Sequence, residues 1–288
     1  MIKSSIQVTH NILEVRKAIQ GLRNEGLRVG FVPTMGALHE GHISLIKKAK
    51  ELAEEVVVSI FVNPAQFGPN EDYASYPRPF QKDLDLCEEQ GVSIVFHPEV
   101  SEMYSGEEII KIQAGAMAET LCGRSRPGHF DGVLQVVNKL FNITRPDLVV
   151  FGQKDIQQFF IIKEMVEEFK MDIDLVMAPT KREPDGLAIS SRNIYLTESQ
   201  RKNANKLYEV LGAVSEVIKN GGNGLQEAIN MHVAELNNIT DFKTDYISCV
   251  EPPKMQHSSE ILEGRTYIIV GAVYAGQTRL IDNLIIHT

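Results

Sequence analysis

Residues 29–46 constrain the fold more than any other part of this chain, because a buried strand passes directly into a helix there. The apolar run from Val29 to Val32 indicates a strand that ends at Pro33. From His42 onward, apolar residues recur at every third or fourth position, as on one face of a helix. The first N–H groups of a helix lack partners within it and carry partial positive charge, so this turn predicts a site for an anion such as phosphate.

Two histidines lie in this turn, in the pattern His39-Glu-Gly-His42. If the helix starts near His39, both imidazoles lie on the same side of its first turn, where they can donate to a polyphosphate. Gly36 and Gly41 lack a Cβ, so the backbone can approach a ligand closely. A histidine pair with this spacing also fits a fragment of a metal site or ordinary loop polarity, but the flanking strand and helix favour a functional site.

Composition and charge restrict the class of protein. The 288 residues are 43% hydrophobic and 23% charged, as in a soluble globular protein, and no apolar run is long enough to span a membrane. The formal net charge of −9 argues against a nucleic-acid surface. Three widely spaced cysteines suggest no disulfide framework, and no targeting segment is apparent, so we expect a cytoplasmic protein.

Strands and helices alternate through the first part of the chain. Apolar strands are predicted near residues 56–62, 92–96 and 147–152, with helices between them, and a weaker strand near 108–113. Such near-continuous apolar strands indicate a parallel sheet covered on both faces, and hence the α/β class. We place a domain boundary near residue 178.

The chain after this boundary predicts a smaller α+β domain. Thr197 to Gln200 has the pattern of a capping box, which opens one long helix. Residues 242–250 alternate as a strand, and a hairpin is predicted around residues 276–277.

Several charged and hydroxyl residues are candidates for an anion site. Lys154 follows the strand predicted at 147–152 and can neutralise a phosphate, although an isolated lysine is usually solvated. Ser190, Ser191 and Arg192 suit a pyrophosphate through charge-assisted hydrogen bonds, and on spacing alone a loop or a helix cap is an equally good interpretation.

Three neutral amides can orient a hydroxy acid without adding charge, although each is a common turn residue on its own. They are Asn63, Gln66 and Gln158. A cluster of Arg124, Arg126 and His129 fits either an anion site or a solvated loop.

Five motifs follow one another along the chain: Pro33-Thr-Met-Gly-Ala-Leu-His-Glu-Gly-His, Phe61-Val-Asn-Pro-Ala-Gln-Phe, Arg126-Pro-Gly-His-Phe-Asp-Gly-Val, Phe151-Gly-Gln-Lys-Asp-Ile-Gln-Gln and Asp185-Gly-Leu-Ala-Ile-Ser-Ser-Arg-Asn. Together they resemble the motifs of the pantothenate synthetase family, the pantoate:beta-alanine ligases. The match of five motifs in order is specific, whereas the histidine motif alone would indicate only the wider nucleotidyltransferase superfamily.

The resemblance implies a Rossmann-like domain at residues 1–178 that binds ATP and pantoate, and a C-terminal lid domain at 179–288. It implies an ATP-dependent ligase that makes pantothenate, on the route to coenzyme A. ATP and (R)-pantoate would give pantoyl adenylate and pyrophosphate, and beta-alanine would then displace AMP. Mg²⁺ on the ATP phosphates and a homodimer are expected with it.

The resemblance also carries over residue roles. His42 would be the proton donor, and we expect His39, Lys154 and Arg192 to act with it in stabilising charge on the departing pyrophosphate. The residues expected to bind ATP are Pro33, Thr34, Met35, Gly36, Ala37, Leu38, His39, Glu40, Gly41, His42, Gly152, Gln153, Lys154, Asp155, Lys181 (through its backbone), Ile189, Ser190, Ser191 and Arg192.

The amides are assigned to the other two substrates. Gln66 would contact both pantoate and beta-alanine, Gln158 would hold pantoate, and we add Asn63 to the pantoate site. The chain departs from the family pattern at four positions, which are Gln153 for Glu, Lys181 for a small apolar residue, Ala65 for Met and Gln135 for Thr.

Two other functions are considered. A nucleotidyltransferase that releases a dinucleotide-type product would not need the amide residues or beta-alanine. A non-catalytic nucleotide sensor with this fold would be expected to lack His39, His42 or Lys154, and all three are present.

Overall fold

The computed structural model describes residues 6–288, which form two compact units. The first contains the chain up to Gly152 and Ile161–Pro179, and the second contains Gln153–Phe160 and Thr180–Thr288. Residues 1–5 of the predicted first domain lie outside the described part. Within that part, no helix is both long and apolar enough to cross a membrane.

The first unit contains a sheet that has six strands within residues 6–288, and every neighbouring pair is parallel. The strands are β1 (Gln7–Thr9), β2 (Val29–Thr34), β3 (Glu55–Ile60), β4 (Ile94–Phe96), β5 (Leu148–Gly152) and β6 (Asp174–Ala178). They lie in the order β1-β4-β3-β2-β5-β6, so the chain changes direction across the sheet at β2. Ligands of open α/β sheets bind beyond the carboxyl ends of the strands at such a point.

The helices found along residues 6–288 are α1 (Ile12–Asn24), α2 (Glu40–Lys50), α3 (Phe80–Glu89), α4 (Val100–Met103), α5 (Leu121–Ser125), α6 (His129–Thr144), α7 (Ile156–Glu168), α8 (Glu198–Asn203), α9 (Lys206–Lys219) and α10 (Leu225–Asn237). Helix α2 contacts β2, β3 and β5, and its Ile46 and Ala49 pack with Val32 and Val58 in a buried cluster. Helix α1 contacts β2 and β4, and α6 contacts β2 and α1. The predicted parallel α/β sheet with covering helices is confirmed.

The second unit contains an antiparallel sheet. Its strands in the described residues are β7 (Phe242–Glu251), β8 (Gln256–His257), β9 (Thr266–Ala275) and β10 (Thr278–His287), in the order β10-β9-β7-β8. Helix α9 packs on β9 and β10, and α10 packs on β7. The predicted hairpin is confirmed, because β9 and β10 pair along their whole length around a two-residue loop in which Gly276 has φ +59°.

The predicted capping box is present, but the helix after it is shorter than expected. Thr197 Oγ1 accepts the N–H of Gln200, and the Gln200 side chain accepts the N–H of Thr197. The chain then turns at Ala204 and Asn205, which divides the single predicted helix into α8 and α9. At this turn the Asn205 side chain donates to Glu209 Oε1 at 2.8 Å and to Asp185 O at 3.4 Å.

One further strand prediction is wrong, and one strand was missed. Residues 108–113 form no strand, because side chains of α6 replace a neighbouring strand as acceptors: Gln135 Oε1 accepts from Ile112 N, and Asp131 Oδ1 accepts from Ala114 N. Strand β1 was not predicted, because three residues are too few to show a period.

Candidate active site

The histidine pair lies where β2 passes into α2, and each imidazole caps the helix. His39 is the residue before the helix, and its Nδ1 accepts the N–H of Gly41 at 3.1 Å. His42 is in the first turn, and its Nδ1 accepts the N–H of His39 at 3.3 Å. The two ring centroids are 4.1 Å apart. The structure therefore brings both predicted histidines together on one side of the helix start.

These two hydrogen bonds determine which nitrogen of each neutral ring carries the proton. A backbone N–H can only donate, so the Nδ1 atoms of His39 and His42 must accept, and the proton of each neutral ring is on Nε2. Protonation at Nδ1 would cost the helix one of its caps. The geometry thus makes Nε2–H the hydrogen-bond donor of both imidazoles.

A buried carboxylate holds the turn before the histidines. Asp83 of α3 is 1% exposed, and its two oxygens accept the N–H groups of Ala37 at 2.8 Å and of Leu38 at 2.7 Å. The turn needs this support because Gly36 and the non-glycine Ala37 both have positive φ, +81° and +51°. Burial raises the pKa of the Asp83 carboxyl, although the two N–H donors act in the opposite direction.

The backbone donors of the turn are therefore engaged within the protein. The N–H groups of Gly36, Ala37, Leu38, His39 and Gly41 donate to Thr34, Asp83, His42 or His39 side chains. The anion expected at this turn was predicted to bind such N–H groups. Contacts of the expected anion with this turn, including any through the imidazole Nε2–H groups, stay a prediction.

We expect Asp83→Asn to weaken the turn. Its amide oxygen can still accept one backbone N–H, but its NH₂ group would face the other backbone N–H, so that two donors would meet. Loss of a hydrogen bond to a buried charged group predicts a free energy of unfolding lower by about 1–3 kcal/mol, and a higher KM for ATP. Urea unfolding and initial rates over a range of ATP concentrations measure the two effects. Asp85→Asn, an exposed change on the same helix, is the control and should leave both quantities unaltered.

The predicted amides Asn63 and Gln66 are joined in one turn. Asn63 is 1% exposed, and its Nδ2 donates to Gln66 Oε1 at 3.1 Å and to Gly132 O at 3.0 Å. Its Oδ1 accepts from Tyr104 Oη at 2.6 Å and from Ala65 N at 3.3 Å. These bonds use the whole capacity of the Asn63 amide. The geometry therefore favours a positioning role for Asn63, and its contact with pantoate stays a prediction.

The Gln66 main chain is held by two members of the predicted Arg/His cluster. His129 Nδ1 donates to Gln66 O at 2.8 Å, and its Nε2 accepts from Arg126, which has only donors, at 2.9 Å. Glu71 in turn binds Arg126 through both carboxylate oxygens, at 2.7 and 2.6 Å. The third member, Arg124, is exposed.

The Glu71–Arg126 pair predicts a stability loss in acid. Burial tends to raise the Glu71 pKa, but the hydrogen bond and charge of Arg126 outweigh it, so the pKa lies below its usual value of 4.5. A lowered carboxylate pKa stabilises the fold above pH 4.5, and this contribution disappears as the pH falls through the folded-state pKa. Glu71→Gln should thus cost about 1–3 kcal/mol in unfolding free energy at pH 7 and much less at pH 3.

Urea unfolding at several pH values between 7 and 3 measures this prediction. The control is Glu88→Gln on the exposed side of α3. A difference between wild type and Glu71→Gln that stays constant over this range would contradict the ion-pair interpretation.

The second unit contains the predicted lysine and serines. Lys154 lies in a short 3-10 helix, Gln153–Asp155, with Nζ 3.9 Å from Asp155 Oδ2. Lys154 and Ser190 line the same small pocket. Ser190 caps the 3-10 helix Ser191–Tyr195, since its Oγ accepts the N–H of Arg192 at 3.3 Å. Within this unit, the structure therefore brings Lys154 and Ser190 together.

Lys181 and Gln158 also lie in the second unit. The carbonyl of Lys181 accepts the N–H of Ile189 at 3.0 Å, and the expected backbone contact of Lys181 with ATP stays a prediction. Gln158 is half-buried in the first turn of α7. Its expected contact with pantoate stays a prediction.

Three polar residues that support these turns were missed from the sequence. Asp83 lies on the same face of α3 as the apolar residues Phe80, Leu84 and Cys87, and an acidic residue on such an apolar face is the signal that the sequence offers. Asn283 interrupts an apolar strand in the same way. Glu71 gave no signal, because its partner Arg126 is 55 positions away in the chain.

The parallel sheet with covering helices and the histidine pair at its switch point define a Rossmann-like α/β protein. A family model described as pantoate-beta-alanine ligase matches residues 7–285. The pantothenate synthetase of Thermotoga neapolitana is 44% identical over 284 residues, covering 98% of this chain and 100% of that protein. That of Fervidobacterium nodosum is 45% identical over 282 residues, again covering 98% and 100%.

Solved structures agree with these relatives. A crystal structure of pantothenate synthetase from Thermus thermophilus matches with a TM-score of 0.89 at 38% identity, over 98% of this chain and 100% of that one. The pantoate-beta-alanine ligase from Francisella tularensis, complexed with beta-gamma ATP and beta-alanine, matches with a TM-score of 0.80 at 39% identity, over 97% of each chain. The chain belongs to the pantoate-beta-alanine ligase family. The predictions of the family, the α/β fold and a ligase of pantothenate biosynthesis are confirmed.

Proposed function

We propose that this enzyme joins (R)-pantoate to beta-alanine through a pantoyl adenylate, releasing pyrophosphate and then AMP. The observation that carries the proposal is a side-chain contact in the first unit: Gln66 Nε2 donates to Met35 Sδ at 3.1 Å. This contact joins Gln66, which is expected to bind pantoate and beta-alanine, to Met35, which lies in the turn expected to bind ATP. A carboxylate oriented by Gln66 would thus lie beside a nucleotide bound at the histidine turn.

In the first step, a pantoate carboxylate oxygen attacks the α-phosphorus of ATP. The bond from that phosphorus to the oxygen shared with the β-phosphate breaks, and pyrophosphate leaves with the electron pair. Donors that are already oriented stabilise this developing charge without reorganisation. We assign the role to the Nε2–H groups of His39 and His42, together with Lys154, Ser190, Ser191 and Arg192.

In the second step, the beta-alanine amine attacks the acyl carbon of the adenylate. The bond from that carbon to the phosphate oxygen breaks with its electron pair on the oxygen, AMP leaves, and the proton lost by the amine nitrogen passes to the departing AMP phosphate as the amide forms. No side chain needs to bond covalently, because the adenylate is itself the activated species. The enzyme contributes by holding both reactants at the Gln66 turn and by excluding water from the adenylate.

Mg²⁺ is proposed as a partner of the ATP phosphates. Among residues 6–288, no group of three or more His, Cys, Asp or Glu side chains is arranged to hold a metal ion. This fits Mg²⁺, which is commonly bound by substrate phosphates and water with few protein ligands. When bound, it would screen phosphate charge during transfer. We further propose a lid role for residues 179–288, a homodimer and a cytoplasmic location.

The test is to incubate the protein with ATP, Mg²⁺, (R)-pantoate and beta-alanine and to quantify the products. We expect AMP, pyrophosphate and pantothenate in equal amounts. Without beta-alanine, we expect at most one equivalent of pyrophosphate per enzyme in a rapid phase, with the adenylate retained and little AMP. Sustained AMP release without beta-alanine, or a dinucleotide product, would contradict the proposed reaction.

A further inference from the structure

One buried asparagine is bonded to the main chain on which Lys154 is carried. Asn283 of β10 is 1% exposed, and its Nδ2 donates to Gln153 O at 2.9 Å and to Lys154 O at 3.1 Å. Its Oδ1 accepts from Gln153 Nε2 at 3.1 Å. A single side chain thus makes three hydrogen bonds to two consecutive residues.

The chemistry of these bonds determines the orientation of the asparagine amide. Carbonyl oxygens only accept, so the NH₂ group of Asn283 must face the carbonyls of Gln153 and Lys154, and its oxygen must face the Gln153 side chain. No other side chain of similar size offers two donors and an acceptor in this arrangement. The asparagine therefore specifies the backbone path of this turn.

The strand that carries Asn283 is itself firmly held. It pairs with β9 over ten residues, from Thr278 to His287. The preceding residue, Asp282, is 5% exposed and binds both terminal nitrogens of Arg182, at 2.5 and 2.8 Å. Two adjacent residues of β10 therefore hold two other segments: Asn283 holds the Lys154 turn, and Asp282 holds the segment that contains Arg182.

We propose that Asn283 is a positioning residue: it fixes the backbone of the turn and thereby the direction in which the Lys154 side chain projects from it. The inference rests on the proposed function, in which Lys154 stabilises the departing pyrophosphate. A lysine on a turn without this anchor would sample other directions, and a displacement of about 1 Å at a reacting group can cost about 100-fold in rate. Asn283 does not touch substrate in this proposal and acts through Lys154.

The experiment is a double-mutant cycle on the rate of pyrophosphate release with saturating ATP, Mg²⁺ and pantoate. We expect Asn283→Ala to lower this rate about 10- to 100-fold, with a smaller change in KM for ATP, and Lys154→Met to lower it at least as much. In the Lys154→Met background, Asn283→Ala should cost less than about twofold, because the positioned group is gone. Equal losses in both backgrounds would overturn the positioning role.

Two additions keep the outcome decisive. Asn283→Asp has nearly the same shape but turns an acceptor towards both carbonyls, so it should match or exceed the loss of Asn283→Ala. Ser215→Ala removes another buried polar side chain of the second unit and should leave the rate unaltered. Urea unfolding at the assay temperature shows that every variant compared is folded under the assay conditions.

The cycle also separates this proposal from the proposed function. If Lys154→Met releases pyrophosphate at the wild-type rate, the role of Lys154 is wrong and the positioning role falls with it. If Lys154→Met is slow but Asn283→Ala is as fast as wild type, only the positioning role is wrong.

Discussion

His42→Ala is expected to slow pyrophosphate release from ATP and pantoate by roughly 10²- to 10⁴-fold, the range for loss of a proton donor or an oriented electrostatic group. The structure gives the physical reason. His42 Nδ1 is used by the N–H of His39, so a neutral imidazole presents Nε2–H as its donor. Single-turnover measurement of pyrophosphate, without beta-alanine, isolates this step.

The same hydrogen bond means that alanine removes a helix cap as well as a donor. Two matched variants separate these effects. His42→Asn can place an amide oxygen where Nδ1 accepts and has no group at the Nε2 position, so it should restore stability but remain as slow as His42→Ala. His42→Gln extends its amide towards the Nε2 position and should recover part of the rate. A wild-type rate in His42→Asn would contradict the donor role.

The elements that could be predicted from the sequence are those whose pattern is visible within a few consecutive residues. The strand at Val29 to Val32 is apolar throughout because both faces of the sheet are covered, and this is visible in four consecutive residues. The hairpin of β9 and β10 was equally clear, because two apolar runs flank a glycine turn. Strand β1, of three residues, and the segment 108–113 depend on partners elsewhere, so local pattern did not identify them correctly.

The candidate site likewise contains residues that the local sequence identifies and residues that it does not. The histidine pair could be located because strand, glycines and helix all lie within one short stretch of sequence. Asp83 contributes to this turn from 46 positions away, and Asn283 reaches the Lys154 turn from 129 positions away. Such pairings arise only when the chain is folded, so a single sequence does not contain a local signal that links the partners.

The structure also shows how much of the hydrogen-bonding capacity of a predicted site residue is used within the protein. Asn63 was predicted to bind pantoate, yet all four of its hydrogen-bonding positions are used by Gln66, Gly132, Tyr104 and Ala65. These contacts favour a positioning role for Asn63, and its contact with pantoate stays a prediction. Residue type and spacing do not distinguish the two roles, because both require an amide at the same place.

Gly132→Ala is expected to disrupt pantoate use strongly, although residue 132 carries no functional group. A Cβ on Gly132 would lie 2.1 Å from Ala65 O and 2.7 Å from Gln66 N, which are backbone atoms of the turn that carries Gln66. Since α6 is fixed by its buried face, the turn must move and take Gln66 with it. We expect kcat/KM for pantoate to fall about 100-fold and the unfolding free energy to fall by about 1–3 kcal/mol.

Gly21→Ala is the matched control, because Gly21 lies within α1 of the same unit and a Cβ there would meet no atom within 4 Å. It should raise the unfolding free energy by up to about 1 kcal/mol, since alanine is the better helix former, and leave kcat/KM unaltered. Initial rates over a range of pantoate concentrations, at saturating ATP, make the comparison. A Gly132→Ala enzyme that uses pantoate as efficiently as wild type would show that the Gln66 turn tolerates displacement, and would weaken its assignment as the place where pantoate is oriented.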